Sequence, residues 1–221
     1  MKKLICVLAT AVVLVSCGTS RYVSGVPAGS AAPAALIEPL SYLTYIQSNG
    51  QESYDPEGSD ESQKLLADAF TKTYQGLAGI LSAADSDNSD GVRNSLEALT
   101  MINNPKGLEQ SEVPAPVRNL LLSNGYRYGL LVYSDGFTRD KKNYARAVAG
   151  NAVLAIVTAV LTLGMVSVYG IEAPYGSRVY LMVVDAQEDR ILYYDSTAGE
   201  LNPLEAKHVN RQVERLLKNF K

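Results

Sequence analysis

The sequence predicts an α/β protein of the mixed α+β kind: a small mixed sheet covered by helices, with an apolar helical insert before a C-terminal hairpin and helix. Three observations predict it. Apolar residues switch several times along the chain between a spacing near 3.6 and strict alternation, the signatures of helix and strand. Two alternating runs flank the polar turn Ala186–Asp189 and are followed by an amphipathic run, so strands and helices must share a core. And 221 residues, 47% hydrophobic and 19% charged, give a folded composition with mass for one ordinary domain plus extras.

The chain opens with a positive Met1-Lys2-Lys3 and an apolar Leu4 to Val15, too short to span a bilayer, so residues 1–16 read as a signal peptide. Thr19 to Pro33 is rich in Ser, Gly, Ala and Pro, and residues 17–35 read as a flexible tether. Residues 36–221 then form a single ectodomain. Leu36 to Ile46 reads as a first strand, followed by a polar loop. Asp60, with Gln63 three residues on, is a plausible helix start. Leu65, Leu66, Ala69, Phe70, Leu77, Ile80 and Leu81 then recur at helical spacing, and Gly76 and Gly79 within that helix cost about 1 kcal/mol each relative to Ala.

A second helix is carried by Val92, Leu96 and Leu99. A third follows Val113, with Pro in its first turn and Gly125 past its end. Tyr126, Tyr128, Leu130 and Val132 alternate as a strand that runs into an Asp135-Gly136 turn. The clearest local pattern is a hairpin over Ser177–Ser196. The last helix has Asn202 as cap, Pro203 at its first position and Glu205 at its third. Val209, Val213, Leu216, Leu217 and Phe220 line one of its faces.

Between the single strand and the hairpin, Ala147 to Gly170 contains no charged residue. As a helix it would reach about 30 Å, enough for a bilayer core. Its flanks argue against a span. An exported N-terminus would leave the dense positive flank Arg139, Lys141, Lys142 and Arg146 on the outer side, against the usual charge asymmetry. Two readings stay open. In one, the stretch is a helix buried all round, packed closely through Gly150, Ala152, Ala155 and Ala159. In the other, Val153, Ile156, Val160, Leu163 and Met165 form an interaction surface for a membrane or for neighbouring protomers, because so much apolar surface is not left bare on a monomer.

Signatures of chemistry are scarce. His208 is the one histidine, set beside charged neighbours on the last helix. Cys6 departs with the signal, and no thiol besides Cys17 remains. That excludes a zinc-type ligand set and a disulfide, and neither a phosphate-binding nor a dinucleotide-binding glycine motif occurs. No metal and no cofactor is expected. Ser86 to Glu97 matches a calcium-loop spacing at Asn88, Asp90, Gly91, Asn94 and Glu97 but lacks the leading carboxylate, so a helix-capping turn is the favoured reading. A pI near 5.3 and the absence of a basic stripe exclude a nucleic-acid surface. The 14 tyrosines, against 3 Phe and no Trp, fall largely in strands, where an amphipathic ring suits a half-buried sheet.

Leu14-Val15-Ser16-Cys17 resembles the lipobox of bacterial lipoproteins in position, flanks and all four residues. The resemblance implies that Cys17 takes a diacylglyceryl group and becomes the mature N-terminus. Gly18 in place of Asp implies sorting to the outer membrane, in a Bacteroidetes-like lipoprotein without that group's acidic surface-export tag. The order of strands, helices, apolar insert, hairpin and closing helix resembles envelope lipoproteins with a TolB-N-terminal-like domain. The curli secretion channel lipoprotein and the activators of peptidoglycan synthases belong to that group. Extra helices between Ala83 and Gly125 depart from its pattern, and the insert is more apolar than the channel's amphipathic hairpins.

The expectation is therefore a non-enzymatic, lipid-anchored envelope protein facing the periplasm, which binds a protein partner or self-associates and touches the membrane through lipid on Cys17. Two other classes remain. An oligomeric secretion or pore component would put the apolar insert into the outer membrane. A carboxylate-dependent envelope hydrolase would show a cleft with paired carboxylates of raised pKa.

Overall fold

The computed structural model describes residues 22–23, 33–102, 105–142, 144–145 and 173–218. Cys17 and the interaction-surface residues Val153, Ile156, Val160, Leu163 and Met165 lie outside them, as do most of the signal and tether and the whole apolar insert.

Among the described residues, eight strands make one mixed sheet. They are β1 (Tyr22–Val23), β2 (Ala34–Ile37), β3 (Leu40–Ile46), β4 (Glu52–Tyr54), β5 (Leu77–Leu81), β6 (Tyr128–Arg139), β7 (Tyr175–Asp185) and β8 (Arg190–Gly199). Four α-helices accompany it among the described residues: α1 (Pro56–Thr73), α2 (Ser89–Glu97), α3 (Ala115–Ser123) and α4 (Ala206–Lys218). The main order is β1-β8-β7-β6-β2-β5. β5, β2 and β6 run parallel, whereas β7, β8 and β1 join antiparallel in turn.

The first predicted strand is two strands laid end to end. β2 pairs with the first residues of β6 and β3 with its last seven, both parallel. Pro39 between them has no N–H to give the ladder, so pairing lapses there and resumes. Glu38, at the break, is held by Gln63 Nε2 at 3.1 Å and Ser82 Oγ at 2.9 Å. The loop after β3 holds the short antiparallel β4.

α1 begins five residues earlier than the sequence suggested and stops sooner. Asp55 is its cap, accepting from the Gly58 N–H at 2.9 Å, and Pro56 fills the first turn, where no N–H is needed. Its last turn gives way at Tyr74, which adopts extended backbone. Leu77, Ile80 and Leu81, expected on this helix, belong to β5 instead. Gly76 and Gly79 make the helical continuation costly. Gly79 also lets Tyr126 lie across the strand, where a Cβ would meet the Tyr126 hydroxyl at 2.6 Å. β6 likewise runs straight through Asp135-Gly136 rather than turning. At Gly136 the Gly176 carbonyl of β7 passes so close that a Cβ would lie 2.5 Å from it. α4 starts one turn late, after Asn202 Oδ1 accepts from the Leu204 N–H.

Both faces of the sheet are buried. Ala35, Leu131, Met182 and Val184 face α2 and α3, through Val92, Leu96, Val117 and Leu121. Leu36, Leu130, Val132 and Val183 face α1 and α4, through Leu66, Phe70, Val209 and Val213. A central strand covered on both sides is apolar at successive positions, as Leu130, Leu131, Val132 and Tyr133 of β6 are. The side chains of Leu36, Ile37 and Phe70 are wholly buried, each worth roughly 2 kcal/mol of transfer free energy. The result is the α/β class expected: helices on both faces of a mixed sheet.

Candidate functional site

Strand alternation carries Asp135 of β6 and Arg178 of β7 onto the face covered by α2 and α3, beyond the end of that cover. Tyr133 and Tyr180 are opposite each other across β6 and β7. Two residues on, Asp135 faces Arg178 on one side and Tyr42 of β3 on the other. Tyr42 in turn stacks on Tyr54 of β4, with ring centres 4.8 Å apart and planes at 22°. Tyr42 is 48% and Tyr54 51% exposed, among the most exposed large apolar side chains described. A row of phenol, carboxylate and guanidinium thus lies on an open part of the sheet.

Its polar members are tied together. Tyr180 donates its hydroxyl to Asp135 Oδ2 at 3.1 Å, and Arg178 Nη1 donates to the Tyr180 hydroxyl at 3.2 Å. Arg178 also sits 5.9 Å from the centre of the Tyr180 ring, within cation–π range. Burial raises the Asp135 carboxyl above its usual range, against the Tyr180 hydrogen bond and the Arg178 charge, which pull the other way. Burial, with Asp135 next in effect, pushes the Tyr133 phenol up to about 12, and burial takes Tyr194 to about 12 as well. Tyr194 donates to the Leu99 carbonyl at 3.0 Å and so fastens the turn after α2 to the sheet. Phenols held protonated this firmly are not bases at neutral pH. What the row offers is flat aromatic surface with one acceptor and one donor of opposite charge, which is recognition chemistry.

The other sequence candidates fall elsewhere. His208 is a loop fastener: its Nδ1 accepts from the Asn202 N–H at 3.0 Å, with Glu205 3.4 Å away. Asn88 caps α2 by accepting from the Gly91 N–H at 2.9 Å. Glu97 ends the same helix, so the two outer positions of the calcium spacing stand about 13 Å apart and cannot share an ion. Beside this cap lies a cavity of about 400 Å³ lined by Asp85, Asp87, Asn119 and Ser123 among others. Its carboxylates repel an anion from the helix N-terminus, and the helix N-terminus disfavours a cation. No group of three or more metal-ligating side chains occurs among the described residues.

The sequence reads the strand tyrosines as part of the fold and Asp135 as a turn residue, and does not single out Arg178 or Tyr42. A signal existed: Asp135 closes an otherwise apolar strand run and Arg178 opens one, and charges inside buried strands are rare without a partner.

No family model matches the chain, and no curated protein matches it in sequence. Solved structures match by backbone. PelC from Paraburkholderia phytofirmans, crystallised as a dodecamer, has a TM-score of 0.39 at 9% identity, over 91% of this chain and 95% of that one. The LpoB C-terminal domain from Salmonella enterica has a TM-score of 0.33 at 10% identity, over 78% and 86%. A DUF4136 family protein from Bacteroides thetaiotaomicron has a TM-score of 0.29 at 7% identity, over 91% and 95%. Similarities of this size leave the function to be argued from the chain's own residues.

Proposed function

We propose that this is a non-enzymatic lipoprotein of a Gram-negative cell envelope, anchored in the outer membrane through Cys17 and facing the periplasm, where it binds a protein partner or self-associates. The observation that carries the binding half is the open row of Tyr42, Tyr54, Asp135 and Arg178. Tyrosine and arginine dominate the energetics of protein contacts, because each offers broad apolar area with a polar end. Stacking already fixes Tyr42 and Tyr54 against each other, which lowers the entropy lost on binding. The lipobox resemblance at Leu14–Cys17 supports the anchoring half. No helix among the described residues is long and apolar enough to cross a membrane.

Two experiments test the halves separately. Replacing Cys17 with Ala is expected to abolish palmitate labelling and to release the protein from the membrane fraction; unchanged labelling sinks the anchoring reading. A photo-crosslinking residue at Tyr42 is expected to yield a discrete adduct in intact cells, with one at exposed Gln187 as control. Adducts at Gln187 equal to those at Tyr42 would mean that the row is not a contact surface.

A further inference from the structure

The outermost strand β1 is drawn from the stretch between Cys17 and the domain, and its register sets the direction in which β1 points towards that end of the chain. Tyr22 pairs with Tyr194 and Val23 with Tyr193, antiparallel. Followed backwards from Tyr22, the chain therefore leaves towards Gly199, the end of β8. Cys17 is five residues from Tyr22, at most about 17 Å of chain. Gly199 is five residues beyond Tyr194, about the same distance.

Gly199 lies opposite Ser177 at the start of β7, and Thr138 near the end of β6 lies opposite Tyr175. Ile46, which ends β3, pairs with Arg139. One end of the sheet thus collects the last residues of β3, β6 and β8 and the first of β7. The hairpin turn Ala186–Asp189 is at the other end, about 36 Å away along the twelve residues of β6.

We propose that the end of the sheet bearing Ile46, Arg139, Tyr175 and Gly199 lies against the phospholipid surface that holds Cys17, with β1 as the strap that sets this orientation. Two further observations favour a bilayer there. The chain passes into and out of the uncharged stretch Ala147–Gly170 at this end, through Tyr144-Ala145 and Ala173. Tyr45, Tyr144 and Tyr175 are partly exposed on the segments that meet there, and exposed Lys141 and Lys142 accompany them. Tyrosine rings suit the headgroup level, and lysine stems cover apolar surface while the ammonium reaches phosphate. The hairpin end, by contrast, carries the ion-paired Arg118, Arg127, Asp185, Glu188, Asp189 and Arg190.

The proposal rests on the lipid-anchor reading of Cys17, and the test separates the two. Once Cys6 is cleaved off and Cys17 acylated, the mature chain has no free thiol, so single cysteines can be labelled without background. The full-length lipidated protein would be placed in phosphatidylethanolamine–phosphatidylglycerol liposomes containing a lipid-borne spin quencher. Fluorophores would be attached in Lys142→Cys and Glu200→Cys at one end, and in Lys72→Cys and Gln187→Cys at the other.

Quenching several-fold stronger at 142 and 200 is expected. The double variant Tyr22→Pro/Val23→Pro, which removes whichever backbone N–H the two-residue ladder uses as its donor, is expected to level the four signals while lipidation persists. Equal or reversed quenching in a chain whose mass shows the acyl groups overturns the proposal alone. A contrast that survives the proline pair overturns the strap. A chain without acyl groups overturns the anchor reading, and the proposal with it.

Discussion

Two carboxylates on the sheet have opposite environments, and pH separates them. Asp185 is fully buried, and burial alone pushes its carboxyl up. Arg127 outweighs this through Nε at 3.1 and 3.0 Å and Nη2 at 2.7 Å, helped by the Gln187 and Glu188 N–H groups, so the carboxyl is held below its usual range. A depressed folded-state pKa contributes stability that is present above about pH 4 and lost as the pH falls below it. Arg127→Met is therefore expected to lower the urea midpoint at pH 7, with the deficit narrowing below pH 4.

Asp135 runs the other way. Its raised pKa means that the folded state holds its proton more tightly than the unfolded chain does. Its contribution is complete below about pH 4 and is lost as the pH rises through the folded-state value. Asp135→Asn keeps an acceptor for Tyr180 and sheds the charge. It is expected to melt higher than the wild type at pH 7, with the gap closing below pH 4 in a melting series.

At the scale of elements, the sequence was legible wherever a local rule acts alone. The hairpin around Ala186–Asp189, the proline-started α3 and the face of α4 carrying Val209, Val213, Leu216 and Leu217 all follow from caps and periodicity. Leu77–Leu81 was not legible, because a short uncharged apolar run serves a helix or a buried strand equally well. Only pairing with β2 and the approach of Tyr126 decide it. The extension of β6 through Asp135-Gly136 was hidden for a different reason: turn chemistry was present, and only pairing with β7 overrides it.

The α2 region gives two tests at this scale. Asn88→Ala is expected to cost about 1 kcal/mol in chemical denaturation through loss of the cap, and millimolar calcium is expected to leave the melting temperature of the wild type unchanged. Tyr194→Phe, which frees the Leu99 carbonyl, is expected to cost about 1 kcal/mol as well.

For the whole molecule, composition and element order were enough to give the class, a sheet covered by helices. They did not give the joining of β2 and β3 along one edge of β6, nor the recruitment of Tyr22–Val23 into the sheet. Both are long-range pairings that no window of sequence contains. The candidate row was legible only as scattered letters. Tyr42, Asp135 and Arg178 become neighbours through register, and a one-residue slip would send each to the other face. Because β1 adds only two residues to an edge, a chain beginning at Pro33 is expected to keep its far-ultraviolet circular dichroism spectrum and to melt within a few degrees of the longer one.

The parallel alignment of β2 and β3 with β6 has a consequence in time. A chain made N-terminus first presents β2, β3 and β5 while their shared partner is still to come, with α2 and α3 following before it. Until β6 arrives, apolar strands such as Ala34–Ile37 lack the neighbour that buries them, and contacts so distant in sequence form slowly. The newly made chain therefore depends on holdase chaperones until β6 arrives. A strain lacking such a chaperone should lose this protein to proteolysis before it loses those built from sequential hairpins.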